Sequence, residues 1–167
     1  MSKNNSLTKD RFYIAYGSNL NREQMAMRCP AAEIVKATYL TNYRLMFRGR
    51  GTAVATVEKH AGGMVPILIW RLKPSDEQAL DIYEGYPHLY RKEMLRVTVN
   101  GRRAQAMIYI MNEAHHPYGT PSRSYFDTIK QGYKESGFDD KILRRAVLDS
   151  VWEAHLAEKY EGGESHD

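Results

Sequence analysis

The chain predicts an α+β fold, with strands through its first two thirds and helices closing it. Three observations carry this. Val65 to Trp70 is an unbroken apolar run of strand length. Asn100-Gly101 separates Glu93 to Val99 from Ala104 to Met111, and that dipeptide between strand-like segments is a strong hairpin signal. Beyond Ser122 the apolar spacing changes to the helical one, with Tyr125, Ile129 and Tyr133 at i, i+4 and i+8.

The elements follow in order. Met1 to Asp10 is polar and lacks the apolar stretch of a secretory signal, so residues 1–10 are read as a disordered, frayed tail. Phe12 to Ala15 is a strand, and Tyr16-Gly17-Ser18-Asn19-Leu20 is a small-residue loop behind it. Asn21 is an N-cap for the helix that follows, with Gln24 as its capping-box partner. Ile34 to Phe47 is one or two strands, and Arg48 to Gly51 is a loop. Thr52 to Val57 is a strand whose alanines let it approach another backbone closely. Gly62-Gly63 is a turn, and Val65 to Trp70 a central strand.

Ser75, with Gln78 three residues on, opens a short helix whose apolar face is Ala79, Leu80, Ile82 and Tyr83. Gly85 and Pro87 stop it. After the hairpin, Ser122 or Ser124 caps a helix that Gly137 ends. Asp139 or Asp140 starts the last helix, striped by Ile142, Leu143, Ala146, Val147, Ser150 and Val151. Residues 161–167 are a solvated tail. No repeat or linker divides the 167 residues, so residues 11–160 form a single domain.

Composition excludes several classes. The chain is 43% apolar and 26% charged, as a soluble globular protein is. It has no run of eighteen apolar residues, so no membrane partner is expected. The single cysteine, Cys29, cannot form an internal disulfide, and a cytoplasmic location is the simplest setting. It lies between Arg28 and Pro30 with no histidine near in sequence, a poor setting for a nucleophile. The net charge of +4 is spread along the chain with no base-reading module, so nucleic acid is not expected as a partner.

The strand, tight loop and helix start around Gly17 offer free N–H groups suited to a carboxylate, a phosphate or an oxyanion. Glu84 is the second candidate. It stands in the last turn of its helix, where the carbonyl end is already negative and ionisation is opposed. Such a carboxylate holds its proton more tightly and is a better base; the plainer reading is an exposed surface glutamate. Ser18 lacks the flanking glycines of a nucleophile elbow and has no paired base. His115-His116 has no metal-ligand spacing, and no phosphate-binding glycine pattern is present, so neither metal nor cofactor is expected. Tyr16, Tyr86, Tyr90, Tyr118 and Tyr125 lie at element ends, where a phenol serves a pocket for a small polar ligand or simply packs.

Together these pieces resemble the γ-glutamylcyclotransferase superfamily. The resemblance runs from Phe12 to Phe138. It rests on Tyr16-Gly17-Ser18-Asn19-Leu20, Thr52 to Val57, the strand ending in Trp70, Leu80-Asp81-Ile82-Tyr83-Glu84-Gly85 with Tyr90-Arg91, and Pro121 to Tyr125 leading to Gly137-Phe138. It implies a small mixed β-barrel with helices packed around it. It also implies a reaction in which the α-amine of a γ-glutamyl group attacks its own γ-carbonyl, giving 5-oxoproline and a free amine.

Glu84 then takes the role of general acid/base. Tyr16, Gly17, Ser18, Asn19 and Leu20 bind the glutamyl moiety and the oxyanion, and Tyr90 and Tyr125 belong to the binding site. No metal or cofactor is implied, and the protein would act as a monomer or homodimer on a small molecule. Glutathione-directed relatives usually carry Leu where Asn19 stands, so the chain is more similar to branches acting on γ-glutamyl amino acids or amines. Glu84 to Arg91 resembles the amine-directed branch and Pro121 to Phe138 the amino-acid-directed one. A non-catalytic small-ligand or protein-binding module on the same scaffold is the alternative, and an RNA-binding β-domain a third reading.

Overall fold

Phe12 to Ala15 does form a strand, and it becomes the middle of a sheet. β1 (Arg11–Ala15) pairs antiparallel with β3 (Val54–Leu72) on one side and parallel with β5 (Arg102–Met111) on the other. β2 (Glu33–Arg48) and β4 (Tyr90–Val99) take the edges, giving the order β2-β3-β1-β5-β4. This is a computed structural model, which describes residues 10–113 and 116–161. Most of the expected N-terminal tail, His115 of the histidine pair and residues 162–167 lie outside the described residues.

Among the described residues four α-helices, α1 (Arg22–Arg28), α2 (Pro74–Tyr83), α3 (Arg123–Glu135) and α4 (Lys141–Glu161), complete the α+β fold. Among the described residues no helix is long and apolar enough to cross a membrane. Tyr13, Ile14 and Ala15 are buried in β1, as is the run from Val65 to Trp70 in β3. Residues 100 and 101 make the β4–β5 hairpin, both at positive φ (52° and 74°), as the Asn-Gly signal requires.

Among the described residues the sheet does not close into a barrel by a ladder. β3 instead bends over, and side chains tie its start to β4 and β5. The Tyr90 hydroxyl donates to the Ala55 carbonyl at 2.6 Å, and the Met111 N–H donates to Thr56 Oγ1 at 3.1 Å.

Several local expectations are corrected. Gly62-Gly63 is not a turn between strands but lies inside β3, while Ile34 to Phe47 falls in one strand, within the expected one or two. Tyr43 pairs with Lys59 and Thr41 with Met64, so one residue of β2 faces four of β3 across a bulge. Asn42 at φ 65° and Gly62 at φ 79° absorb it. Asn42 Oδ1 accepts the Gly62 N–H at 3.2 Å.

Ser75 does not cap α2. Pro74 already supplies the first helical residue, and the Lys73 N–H donates to Asp76 Oδ2 at 2.9 Å. Ile82 was expected on the buried face but is 83% exposed, because Leu80 alone of that apolar set reaches the core. Ser122 is the residue that caps α3. The Lys141 N–H donates to Asp139 Oδ1 at 3.0 Å, opening α4. Leu143, Ala146 and Ser150 form its buried stripe, with Val151 outside it.

Candidate active site

A cavity of about 190 Å³ opens where the loop behind β1 meets the end of α2. That is below the roughly 300–1,000 Å³ of sites for drug-sized ligands, and it suits a small polar molecule. The expected residues Tyr16, Gly17, Ser18, Asn19, Glu84, Tyr90 and Tyr125 all line it. Leu20 does not. It is fully buried beneath the loop and packs on Gly132 of α3. Tyr13, Val54, Ala55, Tyr83, Leu89 and Tyr109 complete the lining. Sequence reading did not assign these to the site. Tyr13 sits in a continuously apolar strand that reveals no face, and Ala55 is marked only by its small size.

The loop owes its shape to local hydrogen bonds. Leu20 N–H donates to the Gly17 carbonyl and Asn21 N–H to the Ser18 carbonyl, both at 3.0 Å, closing a 3-10 turn over Ser18–Leu20. Asn21 Oδ1 then accepts the Gln24 N–H and caps α1. The Gln24 side chain does not return to complete a capping box, because it accepts from Arg28 instead. Among the described residues the N–H groups of Ser18 and Asn19 enter no hydrogen bond, as expected at the open end of such a turn. Gly17 stands at φ −121° and ψ −130°, outside the helical and extended regions, and the space around it is tight. A β-carbon there would lie 3.3 Å from Ala55 Cβ and 3.5 Å from the Tyr125 hydroxyl.

Glu84 is the residue at which α2 ends, held there by Gly85 in the left-handed region at φ 62°. As a whole the residue is half-buried, but protein closes around its carboxyl. Burial pushes its pKa from 4.5 up to about 7, and the Arg28 guanidinium pulls in the opposite direction. The raised proton affinity matches the direction expected from the helix end, but desolvation is the main cause. Asn19 Nδ2 approaches Glu84 Oε1 at 3.4 Å and donates to the Tyr13 hydroxyl at 2.9 Å. The Asn19 carbonyl accepts from Trp70 Nε1 at 3.1 Å, which anchors the loop to β3.

The tyrosines divide by where their protons go. Tyr16 donates to the Tyr109 carbonyl at 2.5 Å and Tyr90 to the Ala55 carbonyl, so both brace the wall. Tyr125 instead accepts the Ala55 N–H at 3.0 Å. Among the described residues its own proton has no acceptor, which leaves it available to a ligand. Burial holds Tyr13, Tyr16, Tyr90 and Tyr125 above the ordinary phenol range, so they stay neutral. Cys29 is buried away from the cavity with its thiol pushed up to about 12, and it is not a nucleophile.

Residues 13–127 match the family described as gamma-glutamyl cyclotransferase, AIG2-like. A mouse gamma-glutamylcyclotransferase is 30% identical over 161 residues, covering 89% of this chain and 85% of that protein. The human one is 29% identical over 135 residues, covering 75% and 71%. A solved gamma-glutamyl cyclotransferase superposes with a TM-score of 0.67 at 26% identity, covering 77% of this chain and 81% of its own. With the motif loop and the carboxylate on one cavity, the chain belongs to the gamma-glutamyl cyclotransferase, AIG2-like family.

Proposed function

We propose that this chain converts the γ-glutamyl group of a γ-glutamyl amino acid or γ-glutamyl amine into 5-oxoproline and a free amine. A substrate α-amine is protonated near neutral pH and cannot attack until a base removes its proton. Glu84 takes that proton. The freed amine attacks the γ-carbonyl, forming the ring C–N bond. The amide C–N bond then breaks as Glu84 returns the proton to the leaving amine, and the second proton of the ring nitrogen passes to that amine, which departs as an ammonium. The oxyanion formed on attack falls to the N–H groups of Ser18 and Asn19. Tyr125 directs its proton to a substrate oxygen. The small cavity keeps the chain folded for ring closure.

One observation carries this reading. Glu84 lines the same cavity as the Tyr16–Asn19 segment, and its proton affinity lies near neutrality, where a base that later acts as an acid works best. The test is a mass-spectrometric screen for 5-oxoproline over a panel of γ-glutamyl amides, with wild type and Glu84→Gln. Product from wild type and none from the variant is expected. No product from wild type on any member of the panel overturns the reading. Equal turnover by the variant removes Glu84 from its role. Binding without turnover in both proteins points to the ligand-binding alternative.

A further inference from the structure

We propose that Arg28 is a positioning residue for Glu84, acting by locking the Asn19 amide with its N–H toward the carboxylate and by bracing the end of α2. The role given to Glu84 rests on the proposed activity; the arrangement itself does not.

A guanidinium has donors and no acceptor. Arg28 Nη1 donates to Asn19 Oδ1 at 2.7 Å and Nη2 donates to Gln24 Oε1 at 2.6 Å. The Asn19 amide therefore cannot turn over, since its oxygen is claimed by Arg28. Its nitrogen is left to face the Tyr13 hydroxyl and Glu84 Oε1. The same guanidinium lies 3.7 Å from the centre of the Tyr83 ring, one residue before Glu84. The Tyr83 hydroxyl in turn stands 3.3 Å from Ser18 Oγ. Arg28 thus touches both the loop that carries Asn19 and the helix end that carries Glu84. A lysine would supply the charge without the two-pronged donation or the flat stack.

The charge also acts on Glu84 directly. The titratable and charged groups on the cavity and against the carboxylate are Tyr13 of β1, Tyr16 of the loop, Arg28 of α1, Tyr83 of α2, Tyr90 of β4, Tyr109 of β5 and Tyr125 of α3, with the Asn19 amide among them. Among these Arg28 is the cation, and it opposes the effect of burial. Removing it lets Glu84 keep its proton to higher pH, so the acid limb of kcat/KM moves upward.

The experiment compares wild type, Arg28→Met and Arg28→Lys. The Glu84 carboxyl is titrated by ¹³C NMR without substrate, with its signal assigned by its loss in Glu84→Gln. kcat and KM are then measured across pH on whichever γ-glutamyl amide wild type turns over. With Arg28→Met, folded by circular dichroism, the Glu84 midpoint is expected to rise and kcat to fall roughly tenfold or more, with KM changing less. Arg28→Lys is expected to bring the midpoint back toward wild type while kcat stays low. A folded Arg28→Met with an unmoved midpoint overturns the proposal. So does full wild-type kcat in Arg28→Lys, which decides the matter alone if Arg28→Met does not fold. If wild type turns over no γ-glutamyl amide, the proposed activity fails, and the NMR titration still tests Arg28 separately.

Discussion

Gly132 of α3 lies directly against the backbone of Leu20. A β-carbon at Gly132 would stand 2.6 Å from the Leu20 carbonyl carbon and 2.7 Å from the Asn21 nitrogen. The helix that carries Tyr125 is therefore seated on the back of the loop that lines the cavity, and only a residue without a side chain permits that seat.

Gly132→Ala must push α3 away, because backbone atoms at both contacts cannot swing aside. A loss of about 3 kcal/mol in urea unfolding is expected, together with weaker substrate binding as Tyr125 withdraws. A variant as stable as wild type would show that α3 does not bear on the loop.

Gly17→Ala tests the cavity from inside. Its new methyl would meet Ala55 Cβ at 3.3 Å and the Tyr125 hydroxyl at 3.5 Å, contacts that small shifts can relieve. The expected cost is about 1 kcal/mol of stability, with KM raised. Adding Ala55→Gly is expected to recover part of the KM, and kinetics on the pair decides this.

Glu84→Gln is expected to lower kcat/KM for 5-oxoproline formation by roughly 10²–10⁴-fold. Rates measured with the thermal midpoint unchanged separate lost chemistry from lost fold.

Stability should depend on pH through the same carboxyl. Its pKa is raised by folding, from 4.5 to about 7, so its contribution is present below 4.5 and lost as pH rises through 7. Relative to wild type, Glu84→Gln is expected to become more stable across that window, by on the order of 3 kcal/mol. Denaturant titrations at pH 4 and pH 8 measure the difference, and an equal gap at both would contradict the burial of the charge.

Ser150→Ala probes the seat of α4 on the sheet. Ser150 Oγ accepts the Phe47 N–H at 2.9 Å and donates to the Ala146 carbonyl at 2.7 Å, all within the core. The alanine strands the Phe47 N–H, for an expected loss of about 1–3 kcal/mol in equilibrium unfolding.

What the sequence made legible was local. The Asn100-Gly101 hairpin, the Gly85 stop after Glu84 and the Asn21 cap each depend on neighbours a few residues away, where turn chemistry decides. The loop and the glutamate stood out for the same reason. Arg28 did not, because its partners Asn19 and Tyr83 come together only after β1, α1 and α2 are packed. Leu20 lies off the cavity, which the motif could not reveal because it marks a segment without saying which of its side chains turn inward. Gly62-Gly63 reads as a turn from sequence because a glycine pair has the same local signature in a turn and in a bulge.

β3 has an architectural consequence. The strand secures the site twice, through the Trp70 indole beneath Asn19 and through Ala55 beneath Tyr90 and Tyr125. The bulge opposite Asn42 falls between those two anchorages. The span between them is thus set by residues that lie outside this cavity, and inserting or deleting chain at 60–63 is expected to alter the pocket's calibre without replacing any side chain that lines it.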